Sequence, residues 1–177
     1  DITVAGDPEL PLRGKLTLPK EVDNPPVVIL VQGSGSSDMN ETIYSNAPFR
    51  DIAWGLAEQG IASIRYDKRY YTYPDKAVEL NNAVTIDDEV LSDVYAAIDL
   101  AKTDGRVDGE RIFVLGHSLG GMLTPAIAAK HPELAGVISM AGTLRPLYEV
   151  SYDQTIETVQ SLRPTLSEQE LAILDVQ

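Results

Sequence analysis

The chain has 177 residues, 44% of them hydrophobic and 23% charged, a balance typical of a globular domain with a sizeable core. Its net charge of −13 disfavours nucleic acids and anionic membranes as partners, because both are negatively charged. With no cysteine and only two histidines, the sequence excludes disulfides and a cysteine nucleophile, and it predicts neither a metal site nor any other cofactor. No apolar run approaches the roughly 20 residues that span a bilayer, so membrane insertion is not expected.

Two strands are predicted first along the chain. Residues 13–18 alternate polar and apolar side chains, which indicates a strand with one covered face. Residues 27–31, VVILV, form an unbroken run of branched and apolar side chains. Such a run is typical of a strand buried on both faces of a parallel sheet. A glycine-rich loop follows at 32–37.

Helices and strands alternate after this loop. A helix is predicted to begin with Asn46 as its N-cap and Pro48 in its first turn, and to end at Gly60. A strand at 61–66 follows. The remaining predicted elements, in chain order, are a helix behind a Thr85–Asp88 capping pair, a strand at 111–115, a helix at 119–130 and a strand at 135–140.

This alternation predicts an α/β fold, with a mostly parallel sheet and helices on both faces. In such sheets ligands bind beyond the carboxyl ends of the strands. The loops predicted at that edge are 32–40, 67–75, 116–119 and 141–146.

The pattern changes after residue 146. Two helices, at 147–162 and 167–176, are predicted without a strand between them. We therefore expect two parts, an N-terminal core over residues 1–145 and a helical lid or cap over residues 146–177.

A candidate nucleophile lies between the strand at 111–115 and the helix at 119–130. Residues 116–120 match the pattern G-x-S-x-G, which places Ser118 on a sharp strand-to-helix turn. Gly116 and Gly120 are small enough to avoid a collision across such a turn. The hydroxyl would then project at the carboxyl edge of the sheet, where the N-terminus of the next helix favours negative charge. The alternative is a glycine-rich turn with a surface serine.

The loop after VVILV is the candidate oxyanion hole. Acyl transfer creates an oxyanion that needs backbone N–H donors. One donor would be the amide of Leu119 and the other the amide of Ser34, which follows Gln32 and Gly33. The alternative, a phosphate-binding loop, is disfavoured because no helix starts directly after the glycines and no Gly-Lys-Ser/Thr is present there.

Three segments carry a family resemblance: VVILVQGSG, PFRDIAWGLAEQGIASIRYDKR and RIFVLGHSLGG. On these the chain resembles the α/β-hydrolase family over residues from about 10 to 145, and within it the bacterial esterases of the dienelactone-hydrolase-like and acyl-esterase groups. Gln32 stands where the family usually has histidine, which leaves the backbone donors in place. Asp67 and Arg69 are interpreted as structural or pocket-lining.

The resemblance implies a triad in the order serine, acid, histidine, with core strands expected beyond residue 177. Neither the acid nor the histidine is identified in this sequence. His117 is expected to point away from Ser118, and His131 lies roughly 20 Å further along the following helix. A general base must reach the serine by a hydrogen bond, so neither histidine is assigned that role.

The main hypothesis is a serine hydrolase that cleaves small-molecule carboxylic esters through an acyl-enzyme on Ser118. Gln32, Gly33, Tyr148 and Tyr152 are candidate pocket-lining residues. The alternatives are a serine peptidase or an acyltransferase of the same fold, or a non-catalytic hydrolase-like domain. The sequence predicts no oligomeric state and is compatible with either the bacterial cytoplasm or a secreted or cell-envelope location.

Overall fold

Six strands form one mostly parallel sheet in a computed structural model that describes residues 1–79, 83–165 and 167. The sheet order is β1-β2-β4-β3-β5-β6. β1 and β2 are antiparallel to their neighbours, while β4, β3, β5 and β6 run parallel. The predicted fold class is therefore confirmed. The strands are β1 (Ile2–Val4), β2 (Leu12–Thr17), β3 (Val27–Val31), β4 (Ala62–Tyr66), β5 (Ile112–His117) and β6 (Gly136–Met140).

Helices fill the connections between the parallel strands, as the alternating pattern predicts. A π-helical turn, Asp87–Leu91, leads directly into α4. The helices of this part of the chain are α1 (Pro48–Glu58), α2 (Arg69–Thr72), α3 (Pro74–Glu79), α4 (Ser92–Thr103) and α5 (Leu119–Lys130).

β3 is the central strand, and all five of its residues are buried. Its neighbours are β4, where Ile29 pairs with Ile64, and β5, where Ile29 pairs with Val114. Successive side chains of a strand point to opposite faces. The continuous apolar run therefore supplies a core on each side of the sheet.

The two cores differ in the helices that cover them. On one face, side chains from α4 and α5 pack against alternate residues of the central strands, including Ile29 and Val114. On the other face, Phe49 and Ala53 of α1 pack against Val28 and Leu30. This two-sided packing fixes the carboxyl ends of β3 and β5 side by side, which is where the loops of the candidate site begin.

Three local features differ from the sequence-based expectation. β1 was not predicted, because three residues are too short to show a periodic pattern. The predicted N-cap at Asn46 is wrong. The N-cap is Ala47, which makes no side-chain cap bond, and Pro48 takes the first helical position. The Thr85–Asp88 capping pair is confirmed, with the hydroxyl of Thr85 2.6 Å from the Asp88 carboxylate.

The chain divides into two compact units, Asp1–Thr143 and Leu144–Gln177. Within the second unit, α6 (Leu147–Leu162) continues into a 3₁₀ turn, Arg163–Thr165. Of the second predicted helix, 167–176, only Ser167 lies within the described residues. The role of this unit as a lid stays a prediction. No helix in the described segments is long and apolar enough to cross a membrane.

We expect the Val114→Ala substitution to lower the free energy of unfolding by about 2 kcal/mol, from lost transfer energy and a residual cavity in the completely buried centre of β5. The matched control is Val78→Ala in α3, where the side chain is 77% exposed and a change within about 0.5 kcal/mol is expected. Urea titration of both variants measures the difference. Equal losses would contradict the placement of β5 in the core.

Candidate active site

Ser118 occupies a strained turn between β5 and α5. Its backbone torsions are φ 50° and ψ −113°, in a region that non-glycine residues seldom adopt. Such a conformation costs of order 1–3 kcal/mol and persists only where the surroundings enforce it. The side chain remains partly exposed to solvent. The geometry is that expected of a serine presented at the sheet edge.

Close backbone packing enforces this turn. A Cβ added to Gly116 would collide with the backbone of Gly120, and a Cβ added to Gly120 would lie 2.5 Å from the carbonyl oxygen of Val31. Real Cβ atoms do not approach so closely. The first turn of α5 therefore lies directly against the ends of β5 and β3 because both positions lack a side chain.

Two backbone hydrogen bonds hold Ser118 itself. Its amide donates to the carbonyl oxygen of Met140, the last residue of β6, at 2.9 Å. Its carbonyl oxygen accepts the amide of Met122 at 2.9 Å, a bond of the first turn of α5. The serine is thus tied at once to the neighbouring strand and to the helix.

A cavity of about 270 Å³ opens beside Ser118. Gly33 forms the facing wall, since a Cβ added there would lie 3.2 Å from the Cβ of Ser118. Two of the loops that the sequence predicts at this edge of the sheet, 32–40 and 116–119, are therefore in contact. The cavity is lined by Gly33, Ser34, Ser36, Ser37, Glu41, Thr42, Ile43, His117 and Ser118.

Some backbone N–H groups at this cavity already donate a hydrogen bond to a protein group, and others do not. The amide of Gly33 donates to Oε1 of Glu41 at 2.7 Å, so it is occupied. Among the described residues, the amides of Ser34 and Leu119 donate to no protein group. Leu119 is the first residue of α5, where amides have no partner within the helix. These are the two amides that the sequence suggests as oxyanion donors.

Glu41 links the loop to the residue before the serine. Its side chain is buried, and its Oε1 lies 2.8 Å from Nδ1 of His117 as well as 2.7 Å from the Gly33 amide. Within the described part of the chain, His117 makes no hydrogen bond to Ser118. His117 therefore shares the cavity with the serine but is engaged by a carboxylate.

Lys68 holds the other side of the same loop. Its buried ammonium donates to the carbonyl oxygen of Gly33 and to Oε1 of Glu89, each at 2.7 Å. The same Glu89 oxygen accepts the amide of Gly35 at 3.0 Å. Burial lowers the pKa of Lys68, and the nearby Glu89 carboxylate counteracts only part of this shift. Two buried or half-buried charges thus fix a short stretch of backbone.

Glu41, Lys68 and Glu89 were not identified from the sequence. They lie far apart along the chain, and no motif contains all three. One signal was available: Asp67, Lys68 and Arg69 form a charged run directly after a strand buried along its whole length. All three are buried, which charged residues seldom are without a partner.

Other candidate residues have structural contacts. Gln32 is buried, and its side-chain amide donates to the carbonyl oxygen of Tyr66 at 2.5 Å. The Asp67 carboxylate pairs with Arg13 and accepts the amide of Met39 at 2.8 Å. Arg69 pairs with buried Asp93 at 2.8 Å. These contacts agree with the structural interpretation of Asp67 and Arg69.

The remaining candidates lie away from this cavity or in the second unit. His131 is the C-cap residue of α5, and its Nδ1 lies 3.0 Å from Glu133. Tyr148 and Tyr152 are exposed on α6, beside Arg145, and their place in a substrate pocket stays a prediction. Among the described residues, no group of three histidine, aspartate or glutamate side chains could hold a metal ion.

Comparison with known proteins identifies the family. Residues 41–170 match the family described as "Serine aminopeptidase, S33". The chain belongs to this family of α/β-hydrolases. It is also 45% identical over 162 residues to the esterase EstD of Thermotoga maritima, a match that covers 92% of this chain and 36% of the esterase. The chain therefore spans little more than a third of the length of that relative.

Solved structures share the fold of this α/β-hydrolase. A dienelactone hydrolase from Anabaena variabilis is 26% identical, with a TM-score of 0.61 over 80% of this chain and 62% of that chain. Est1E from Butyrivibrio proteoclasticus is 22% identical, with a TM-score of 0.59 over 80% of this chain and 50% of that chain. The family resemblance seen in the sequence is confirmed.

We expect Gly116→Ala and Gly120→Ala each to lower the free energy of unfolding by about 1–3 kcal/mol or more, since the added methyl group overpacks the turn. The matched control is Gly55→Ala on the exposed side of α1, where a Cβ would meet nothing within 4 Å. That change should stabilise the protein by up to about 1 kcal/mol through helix propensity. Thermal unfolding compares the three. A neutral Gly116→Ala variant would contradict the close packing of the turn.

Proposed function

We propose that this α/β-hydrolase is a serine hydrolase that cleaves carboxylic esters through an acyl-enzyme on Ser118. One observation carries the proposal. Ser118, held in a strained strand-to-helix turn, lies against Gly33, and the backbone amide of the following residue, Ser34, donates to no protein group among the described residues. Strain of this kind clusters at functional sites. The similarity to the esterase EstD supports an ester, rather than another acyl compound, as the substrate.

In this mechanism the Ser118 hydroxyl oxygen attacks the ester carbonyl carbon while a general base takes its proton. The carbonyl π electrons move to oxygen, and the oxyanion accepts hydrogen bonds from the amides of Ser34 and Leu119. Collapse breaks the bond to the alcohol, which leaves with a proton and gives an acyl-Ser118 ester. Water then attacks this ester by the same route and releases the carboxylic acid. The N-terminus of α5 adds favourable electrostatics at each oxyanion.

The general base is assigned to neither histidine of this sequence. His117 is engaged by Glu41, and His131 lies at the opposite end of α5. We propose that the base and its acid partner lie outside the residues that the structure describes, in the order serine, acid, histidine that the family resemblance implies.

A cavity of about 270 Å³ favours a small-molecule ester whose acyl part enters beside the serine. Thr42 and Ile43 also line it, and the Ile43 side chain is well exposed. The apolar side chain of Ile43, at the same cavity as the Ser34 amide proposed as an oxyanion donor, suits an acyl group with a polar carbonyl and an apolar remainder.

We expect the Ser118→Ala variant of the intact protein to lose at least about a thousandfold in kcat on p-nitrophenyl acetate and to escape labelling by a fluorophosphonate, because the nucleophile is absent. The control is Ser36→Ala, which removes a hydroxyl at the same cavity and should keep both properties. Mass spectrometry of the labelled wild-type protein should locate the adduct on Ser118. Labelling at another serine, or persistent hydrolysis by Ser118→Ala, would refute the proposal.

A second candidate function, a serine peptidase, is favoured by the description of the matching family. The same nucleophile and donors serve amide hydrolysis, which additionally requires protonation of a poor amine leaving group. We expect kcat/KM on p-nitrophenyl esters to exceed that on aminoacyl p-nitroanilides by at least about a hundredfold, or about 2.7 kcal/mol. A preference for the anilides would establish the peptidase instead.

A further inference from the structure

A buried lysine is bonded to the peptide group that supplies the proposed oxyanion donor. Lys68 follows β4, and only about 4% of its side chain is accessible to solvent. Its ammonium donates to the carbonyl oxygen of Gly33 at 2.7 Å. Gly33 is the residue whose carbonyl carbon bonds to the nitrogen of Ser34, so the lysine acts on the peptide group that supplies the donor.

Because the peptide group is planar, the position of its oxygen determines the direction of its N–H. In a trans peptide the carbonyl oxygen and the following N–H point in opposite directions within one plane. No peptide bond among the described residues is cis. When the Gly33 oxygen is held on the lysine side, the Ser34 N–H is directed away from Lys68, and both Gly33 and Ser34 line the cavity beside Ser118.

The amides on either side of this peptide are bound by other side chains. On the N-terminal side, the Gly33 amide is bound to Glu41 at 2.7 Å. On the C-terminal side, the Gly35 amide is bound to Glu89 at 3.0 Å. Gly35 has a φ of 83°, and glycines on both sides of Ser34 leave the intervening backbone few intrinsic restraints. The carbonyl bond from Lys68 restrains the peptide between them.

We propose that Lys68 is a positioning residue for the oxyanion hole, which holds the Gly33–Ser34 peptide so that the Ser34 amide faces the reacting carbonyl. The inference rests on the function proposed above. A cation on the carbonyl oxygen also polarises the peptide, which makes its N–H a stronger donor. Glu89 balances the buried charge and fixes the ammonium, and the two side chains are 2.7 Å apart.

This role differs from that of a simple ion pair. A lysine needed only to neutralise Glu89 would become dispensable once the carboxylate is neutral as well. A lysine that orients a peptide would remain necessary in that background. The comparison of single and double variants therefore separates the two roles.

The test uses the intact protein and compares Lys68→Met, Glu89→Gln and the double variant. Methionine keeps most of the apolar stem, and glutamine keeps an acceptor for the Gly35 amide. We expect Lys68→Met to lower kcat on p-nitrophenyl acetate by about 10- to 100-fold with KM within about threefold, since the loss of an oxyanion donor costs 10²- to 10³-fold. Glu89→Gln leaves the buried ammonium without its countercharge and should lower kcat, but less than Lys68→Met does, and the double variant should remain as impaired as Lys68→Met.

The matched control is Lys76→Met, which breaks a surface ion pair with Glu79 and should leave kcat and KM unchanged. Circular dichroism and thermal unfolding identify the folded variants. If Lys68→Met fails to fold, the charge-balanced double variant supplies the measurement. Recovery of wild-type kcat in the double variant, or a loss that falls on KM alone, would overturn the positioning role.

Failure of this inference is distinguishable from failure of the proposed function. Fluorophosphonate labelling reports on Ser118, and its rate also depends on the oxyanion hole, so it should fall in parallel with kcat in Lys68→Met. Loss of activity in Ser118→Ala with wild-type kcat in Lys68→Met would leave the function intact and reject the lysine alone. Full activity in Ser118→Ala would reject both.

Discussion

The geometry of the site depends on one steric constraint, the absence of side chains where α5 meets the ends of β5 and β3. Without Cβ atoms at Gly116 and Gly120, backbone lies directly against backbone, and the chain must turn within the single residue Ser118. The strain at that residue is maintained by packing on both sides of it, through the β6 carbonyl and the first turn of the helix. A rigid sheet with two covered faces supplies the support that such strain requires.

Buried charge stabilises the other half of the site. A loop with many glycines and serines gains little from hydrophobic packing, so its shape must come from hydrogen bonds to its backbone. Glu41, Lys68 and Glu89 provide these bonds from three separate segments. Bonds to charged groups are stronger than neutral ones, and burial of the Glu41 and Lys68 contacts leaves water few opportunities to replace those two. The loop is therefore shaped by side chains that need not touch a substrate.

The sequence predicted those features that depend on neighbouring residues. VVILV indicated a strand buried on both faces, and G-x-S-x-G indicated the turn at Ser118. Each pattern is informative because the physical requirement behind it concerns only residues close together in the sequence. The N-cap prediction at Asn46 was wrong because the preference for asparagine at N-caps does not fix where a helix begins. The N-cap of α1 lies one residue later, at Ala47. The partners of Gly33 could not be predicted, because these contacts depend on how the segments lie together in the fold and not on a local sequence pattern.

The hydrogen bond from Ser118 to Met140 couples the serine to the local stability of β6. Both partners of this bond are backbone groups, so the restraint does not depend on which side chain occupies position 140. It does require that β6 keep its register with β5, in which Met140 pairs with His117, the residue before the serine. A slip of that register would move the Met140 carbonyl away from the Ser118 amide, and the turn would lose its tie to the sheet while β3 and β4 stayed paired.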